Sequence, residues 1–450
     1  MAKIIGGRKF NIIRVVFALV LVALASLCEA KGLWKPRLPV PVPVPGVGLV
    51  RARVAKARDP LAIQASEAIR GLDLTEKVFN VLTYGADASG LDDSTEAFMK
   101  TWVDMCHWNG KSRMLVPRGT FQVGELVFQG KCAGPAAKVV DIKGTLKALT
   151  DPSSFTSDYC ILFQLIDGLI IIGSGVIDGQ GASVWQYSDC NSNSNCQRMP
   201  INVKFDTVSH AIVSRLNSVD SKGFHIGVTN SNNIRLYNLR ITAPDESPNT
   251  DGIHISKSNN VKISNAVIGT GDDCISMIQG CTDITIKKVF CGPGHGISIG
   301  SLGKYKNEAD VRGITVKNCT LTGTENGVRI KTWPDSPPSA ASKLIFANLV
   351  MNNVKNPIII DQEYNSHNKK QIVPSRVKIS DVHFVNIRGT STSPLAVNIV
   401  CSKQFPCQQI QLKNINLQYT GLPSKGPVTS TCLNAQGLLF GGIQIPPACK

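Results

Sequence analysis

Residues 210–219 read HAIVSRLNSV, residues 232–242 read NNIRLYNLRIT, and residues 259–268 read NNVKISNAVI. In each run apolar and polar side chains alternate, which is the period of a half-buried strand. Asn, Ser and Gly mark the places where the chain turns. The pattern goes on as TDITIKKVFC (282–291), RGITVKNCTL (312–321), SKLIFANLVM (342–351), SRVKISDVHF (375–384) and QQIQLKNINL (408–417). Its anchors Ile212, Ile234, Val261, Ile284, Ile314, Leu344, Val377 and Ile410 stand 22 to 33 residues apart. Such a period, made of short strands with hardly any helical periodicity, marks a solenoid. Leucine-rich repeats need a Leu framework that is absent, and propeller blades need about 40 residues and four strands each. The fold expected is therefore all-β, a right-handed parallel β-helix. Its coils stack at roughly 4.8 Å, so residues one repeat apart become neighbours in space.

Four polar motifs interrupt the repeats: Asn249-Thr250-Asp251-Gly252, Gly271-Asp272-Asp273-Cys274, Gly294-His295-Gly296 and Arg329-Ile330-Lys331. Asp251 and Asp272 are 21 residues apart, Asp272 and His295 are 23 apart, and each interval is close to one coil. Arg329 follows 34 residues later, beyond the loop SLGKYKNEAD (301–310). Stacking is predicted to gather three carboxylates, one imidazole and two cations on one face. Taken singly, Asp-Gly is ordinary turn chemistry, Gly-His-Gly is turn punctuation, and Arg-Ile-Lys is any exposed strand face. Adjacent carboxylates beside a third repel one another, which raises the proton affinity of one of them. Glycoside hydrolysis uses that arrangement, since it needs one carboxylic acid for the leaving oxygen and a carboxylate to activate water.

The rest of the chain sets the context. It has 450 residues, 43% hydrophobic and 18% charged, enough to bury a large core. The net charge of +16 suits a polyanionic partner, whether nucleic acid, anionic lipid or acidic polysaccharide. Lys3, Arg8, Lys9 and Arg14 precede an apolar run from Val15 to Leu27, with Ala30 at a small-residue cleavage site. That is a signal peptide over residues 1–30, and its run is too short for a comfortable membrane span of about 20 residues. Residues 31–77 read as a basic, Pro-rich linker or pro-segment, with Pro36, Pro39, Pro41, Pro43 and Pro45 in a polyproline spacer. The catalytic unit is expected over 78–450. Within it Asp93-Ser94 cap a helix carrying Phe98, Trp102, Met105 and Cys106, placed to cover the open end of the solenoid.

Fourteen cysteines, thirteen beyond the signal, fit an oxidising compartment. Cys190/Cys196, Cys274/Cys291, Cys401/Cys407 and Cys432/Cys449 read as short-loop disulfides, and the odd count leaves a free thiol. No CxxC pair offers a zinc site. Asn318-Cys319-Thr320 is the one sequon for a sugar in a secreted product.

The motifs NTD, GDDC, GHG and RIK, in this order and spacing, resemble the signature of the polygalacturonase family of glycoside hydrolases, in its plant type. The likeness runs from about Val78 to the C-terminus and includes YGADASG (84–90), VPRGTF (116–121), GVIDGQG (175–181) and NPIIIDQEY (356–364). The resemblance implies a pectin-lyase-like β-helix that hydrolyses α-1,4-galacturonosyl bonds with inversion and takes no metal or other cofactor. It implies Asp272 as general acid, with Asp251 and Asp273 holding the attacking water and His295 supporting the acid. Arg329 and Lys331 would bind the galacturonate carboxylate through charge-assisted contacts. Asn249 would hydrogen-bond substrate, and Tyr364 would line the cleft. Plant-type members carry a cysteine directly after that tyrosine and another soon after; QEYNSHNKKQIVPSRVKIS (362–380) has neither, so one surface disulfide is missing. Residues 301–333 and 389–407 look like the pollen-type, exo-acting subgroup. The partner implied is an acidic polysaccharide in the cell wall, met by a secreted monomer without nucleic acid or membrane insertion. Rhamnogalacturonan or xylogalacturonan hydrolysis within the same family stays open. So do a calcium-dependent pectate lyase, which would lack this triple-Asp set, and an inactive polyanion-binding wall protein.

Overall fold

A computed structural model describes residues 59–71, 75–188, 196, 198–366, 373–421 and 426–449. The expected signal peptide, the proline run, the basic residues from Arg51 to Arg58, and Cys190 lie outside the described residues.

The chain winds as a right-handed parallel β-helix, in which every strand pairs in parallel with the strand one coil away. Among the described residues one sheet stacks eleven strands, including Ile201–Asp206, Ile226–Thr229, Ile253–Ser256, Ile275–Met277, Ile297–Leu302, Asn326–Thr332 and Asn356–Asp361. Along each strand one residue points in and the next points out. The inward positions make continuous aliphatic columns: Ile253, Ile275, Ile297, Val328 and Ile358 form one, and Ile255, Met277, Ile299, Ile330 and Ile360 another. Burying such columns is what drives the coils together, at about 25 cal/mol per Å² of apolar surface.

Register follows the sequence pattern with two corrections. Ile234 pairs with Val261 and Ile314 with Leu344 as the anchors imply. Ala211, not Ile212, lies beside Ile234, and Val382, not Val377, lies beside Leu344. Ile212 faces outward with Val139, Ile170 and Ile172, under a helix of residues Pro60–Arg70 that buries Ala65 and Ala68 there. That helix stands inside the stretch read as a linker. Asp59 caps it, its side chain accepting from the Leu61 N–H at 3.0 Å, and also pairs with Arg235. Leu61, Ala65, Ala68 and Ile69 stand at the i, i+4, i+7, i+8 spacing of a helix face, a signal passed over beside the basic, Pro-rich run.

A second regularity holds the bends. Asn238, Asn265, Lys288, Asn318, Asn348, Asn386 and Asn414 occupy one column, all with φ between 54° and 56°. Asparagine tolerates this left-handed conformation better than most residues. The amides also bond along the stack, Asn348 to Asn318 at 3.1 Å, Asn386 to Asn348 at 2.8 Å and Asn414 to Asn386 at 2.9 Å. Asn318 of the sequon is therefore exposed at the start of an amide ladder.

The predicted helix is present at Thr95–His107, with the Asp93 side chain accepting from the Thr95 N–H at 2.9 Å. Phe98, Trp102, Met105 and Cys106 are buried, and the Trp102 ring lies 5.0 Å from Phe128. Its indole donates to the Gln129 carbonyl at 3.0 Å. Trp102→Ala would open a cavity at this end, and a loss of about 3–5 kcal/mol is expected in urea unfolding. A change within experimental error would show that the helix is not part of the cooperative unit.

Disulfides Cys274–Cys291, Cys401–Cys407 and Cys432–Cys449 form as the spacing suggested, and Cys196 is bonded too. Cys106–Cys132 fixes the end of the capping helix, a bond across 26 residues that spacing did not reveal. Cys160, Cys281 and Cys319 are free and buried. The last strand, Leu439–Ile445, has one coil face covered and leaves Leu439, Phe440, Ile443 and Ile445 exposed. Among the described residues no helix is long and apolar enough to cross a membrane.

Candidate active site

The register Ile253–Ile275–Ile297 carries the turns that precede these strands, and so stacks Asp251, Asp273 and His295 in one column. Backbone bonds lock the turns, Gly252 N–H to Asp273 O at 2.9 Å and Cys274 N–H to Gly296 O at 2.8 Å. Spacing had suggested Asp272 as the member one coil from Asp251; the column member is Asp273, and Asp272 sits one residue outside it. The turn that swings Asp272 out begins at Gly271, where a Cβ would lie 2.1 Å from the Ser247 carbonyl oxygen. The Cys274–Cys291 bond ties the same turn to the following coil.

A second column runs beside the first. His254, Ser276, Ser298 and Arg329 are register partners on successive strands, all three residues past the first column or its equivalent. Each serine reaches back one coil, Ser276 Oγ donating to Asp251 Oδ2 at 2.6 Å and Ser298 Oγ to Asp273 Oδ1 at 2.6 Å. Behind the serines stand different groups. Arg329 Nε donates to Ser298 Oγ at 3.1 Å, while His254 Nδ1 lies 2.7 Å from Ser276 Oγ.

Asp273 is the most constrained carboxylate. Arg329 Nη2 reaches its Oδ1 at 3.0 Å and Lys331 Nζ its Oδ2 at 2.9 Å. Burial alone would raise its proton affinity, but Lys331, Arg329 and the Ser298 hydroxyl overcome that and hold it down at about 2. Asp251 goes the other way: burial and the neighbouring Asp272 raise it, against a lowering contact from His254. Asp272 is 21% exposed, and His295 Nδ1 meets its Oδ1 at 3.0 Å. His295 also faces Glu325 at 3.7 Å, and the hydrogen bond to Asp272 raises its affinity for a proton despite partial burial.

Oxygens of all three aspartates come within 4.8 Å of one another. Clusters of this kind can hold a cation, but both oxygens of Asp273 are already taken by a guanidinium, an ammonium and a hydroxyl. The donor set fits proton chemistry instead.

Arg329 and Lys331, expected to reach a substrate carboxylate, are only 9% and 7% exposed and end on Asp273. Tyr364 covers them, its ring 5.2 Å from Lys331 Nζ and 6.0 Å from the Arg329 guanidinium. Trp333 stands edge-on to Tyr364 at 5.4 Å, with Lys304 over the indole at 5.4 Å. Asn249 lies exposed at φ 52°, two residues before Asp251. The structure thus brings Asp251, Asp272, Asp273, His295, Arg329, Lys331 and Tyr364 together. Sequence reasoning missed His254, Ser276, Ser298, Glu325 and Trp333. For the first three a signal existed: each lies three residues after Asp251, Asp273 or His295, visible once the coils are aligned.

Residues 106–441 match the family described as Glycosyl hydrolases family 28. The chain belongs to that family. This family 28 glycoside hydrolase is 48% identical over 379 residues to an exopolygalacturonase of Platanus acerifolia, covering 84% of this chain and 99% of the relative. It is 46% identical over 360 residues to an exopolygalacturonase of Oenothera organensis, covering 80% of this chain and 98% of the relative. Among solved structures, endo-xylogalacturonan hydrolase from Aspergillus tubingensis matches with a TM-score of 0.71 at 23% identity, over 80% of this chain and 96% of that one. An exopolygalacturonase from Thermotoga maritima matches at 0.68 and 18% identity, over 85% and 97%. At those identities the two structures speak for the fold of this family 28 hydrolase and not for its substrate.

Proposed function

We propose that this hydrolase removes galacturonate from the end of polygalacturonate chains, as a secreted enzyme acting in the cell wall. The observation that carries the proposal is the division of labour among three close aspartates. Asp273 is pinned as an anion by Arg329 and Lys331, whereas Asp272 is partly exposed beside His295. Asp272, protonated, gives its proton to the glycosidic oxygen as the bond from that oxygen to C1 breaks. Water held between Asp251 and Asp273 loses a proton to a carboxylate, and its oxygen bonds to C1. The positive charge of the chain, the relatives named exopolygalacturonase and the cations Lys304 and Arg198 near Tyr305 support an acidic polymer as substrate. Chain-end action is supported by a bridge, Arg198 Nη2 to the Tyr305 hydroxyl at 3.2 Å, joining segments that flank strands four rungs apart.

Inversion is part of the proposal for a specific reason. Inverting carboxyls usually stand roughly 6.5–9.5 Å apart and retaining ones about 5–5.5 Å. The oxygens here are closer than either, yet Asp273 has both oxygens engaged and makes a poor nucleophile. Purified enzyme on polygalacturonate is expected to release monomer alone, with the β-anomer appearing first by NMR. A ladder of oligomers would overturn chain-end action, and an initial α-anomer would replace inversion by a double displacement. Reducing sugar from xylogalacturonan or rhamnogalacturonan, with none from polygalacturonate, would move the substrate.

A further inference from the structure

The two water-side aspartates are supported by the same device with one change. Asp273 is held by Ser298, which Arg329 braces; Asp251 is held by Ser276, which His254 braces. An arginine is a permanent cation, whereas imidazole gains and loses a proton within the working range of carboxylate enzymes. The serine between them makes the difference chemically consequential. Ser276 Oγ has one hydrogen, so when it donates to an ionised Asp251, the contact at 2.7 Å must be His254 Nδ1–H donating to Oγ. When Asp251 holds a proton, the chain of donors can reverse: Asp251 donates to Oγ, and Oγ donates to a bare Nδ1. A proton on Asp251 and a hydrogen on Nδ1 are thereby linked through one hydroxyl.

Resting on the hydrolase function proposed above, we propose that His254 and Ser276 are positioning residues of the reaction. His254, through the Ser276 hydroxyl, sets the proton content of Asp251 and so makes Asp251, not Asp273, the carboxylate that takes the proton from water. Geometry supports the pair from three sides. The preceding coil contributes Phe224, whose ring stacks on His254 at 4.4 Å and fixes its plane. The strand of His254 itself places Nδ1 3.7 Å from Asp251 Oδ2. From the following coil come Ser276 and, facing Asp251, the carboxylates Asp272 and Asp273, the latter already neutralised by Arg329 and Lys331. Burial and Asp272 raise Asp251, and the His254 contact lowers it again, the direction the arrangement requires. Asp273 has no such freedom, because both of its oxygens are occupied by fixed donors. The proton leaving water therefore goes to Asp251, and Ser276 offers it a path onward to the imidazole.

The test is the pH profile of kcat/KM on polygalacturonate over roughly pH 3 to 7, for full-length wild type, His254→Leu, His254→Asn and Ser276→Ala. Ionised Asp251 is required, so activity falls on the acid side. His254→Leu removes the donation that favours the anion, and the acid limb is expected to move up by about one pH unit. His254→Asn keeps an N–H at the place of Nδ1 and is expected to return the limb most of the way to wild type. Ser276→Ala is expected to move the limb as His254→Leu does, and combining the two should add nothing. A merely structural role would lower activity by one factor at every pH, leave the limb in place and show no rescue by Asn; that result overturns the proposal. Failure of the wild type to cut polygalacturonate would defeat the substrate reading instead, and the same profiles would then be read on the polymer it does cut.

Discussion

Asp272→Asn is expected to remove nearly all turnover while leaving the melting temperature of the enzyme where it was. Both contacts made by the side chain fall on Oδ1, which accepts from the Asp273 N–H at 2.7 Å and meets His295 Nδ1 at 3.0 Å. An asparagine keeps that oxygen and both contacts, so packing is preserved. What it loses is the proton for the leaving oxygen, and general acid catalysis of this kind contributes typically 10²–10⁴-fold. The expected readout is a fall of that order in kcat, with normal folding by circular dichroism. Near-normal kcat in a folded Asp272→Asn protein would move the acid to another carboxyl, with Asp251 next in line because its proton affinity is raised.

Lys331→Met has the second largest expected effect, for a reason the structure changes. The sequence suggested a cation that reads the sugar carboxylate, so its loss would be felt mainly on de-esterified polymer. In the folded protein Lys331 neutralises buried Asp273. Removing one partner of a desolvated charged pair costs roughly 2–5 kcal/mol, a factor of about 30 or more in kcat/KM. The loss is expected on both de-esterified and methyl-esterified polymer, because Asp273 helps Asp251 to hold the water whatever the substrate carries. The sign of the pH effect is fixed as well. Asp273 is held low by Lys331 and Arg329, so losing one cation lets it protonate at higher pH and raises the acid limb. A loss confined to the de-esterified polymer, with the limb unmoved, would restore Lys331 to the role of substrate reader.

Most of the fold was legible because a parallel β-helix repeats one local rule, and alternation in NNVKISNAVI says the same thing as its neighbours. Where the rule was broken, the sequence misled. Ile212 looked like a core anchor because outward positions of that coil are also apolar, and only the helix Pro60–Arg70, which covers them, explains why. The site was legible down to Asp251, Asp273 and His295, since stacked turns convert coil length into proximity. It failed by one residue at Asp272, because a spacing of 21 against 22 cannot say which of two adjacent aspartates stays in the column. Ser276 and Ser298 went unnoticed for a different reason: a serine in a strand carries no chemical signal until its neighbour across the coil is known. The pairing of Arg329 and Lys331 with Asp273 was likewise hidden, because charge in a sequence does not reveal its counter-charge.

A solenoid of in-register parallel rungs is also a segment of something that has no natural length. Its coils repeat at the spacing of a fibril, and its ladder of asparagine amides is a device that fibrils share. Exposed Leu439, Phe440, Ile443 and Ile445 on the last strand would serve as a template for one more rung. The tail is written against that outcome. Gly441 and Gly442 coincide with the shift of register against Lys413–Ile415, and Pro446 and Pro447 offer no N–H to an incoming strand. The Cys432–Cys449 bond then folds the chain back across the end. At the other end the helix Thr95–His107 lies over the first strands. These terminal segments do no chemistry, yet they stand at the two ends where a stack of rungs would otherwise grow.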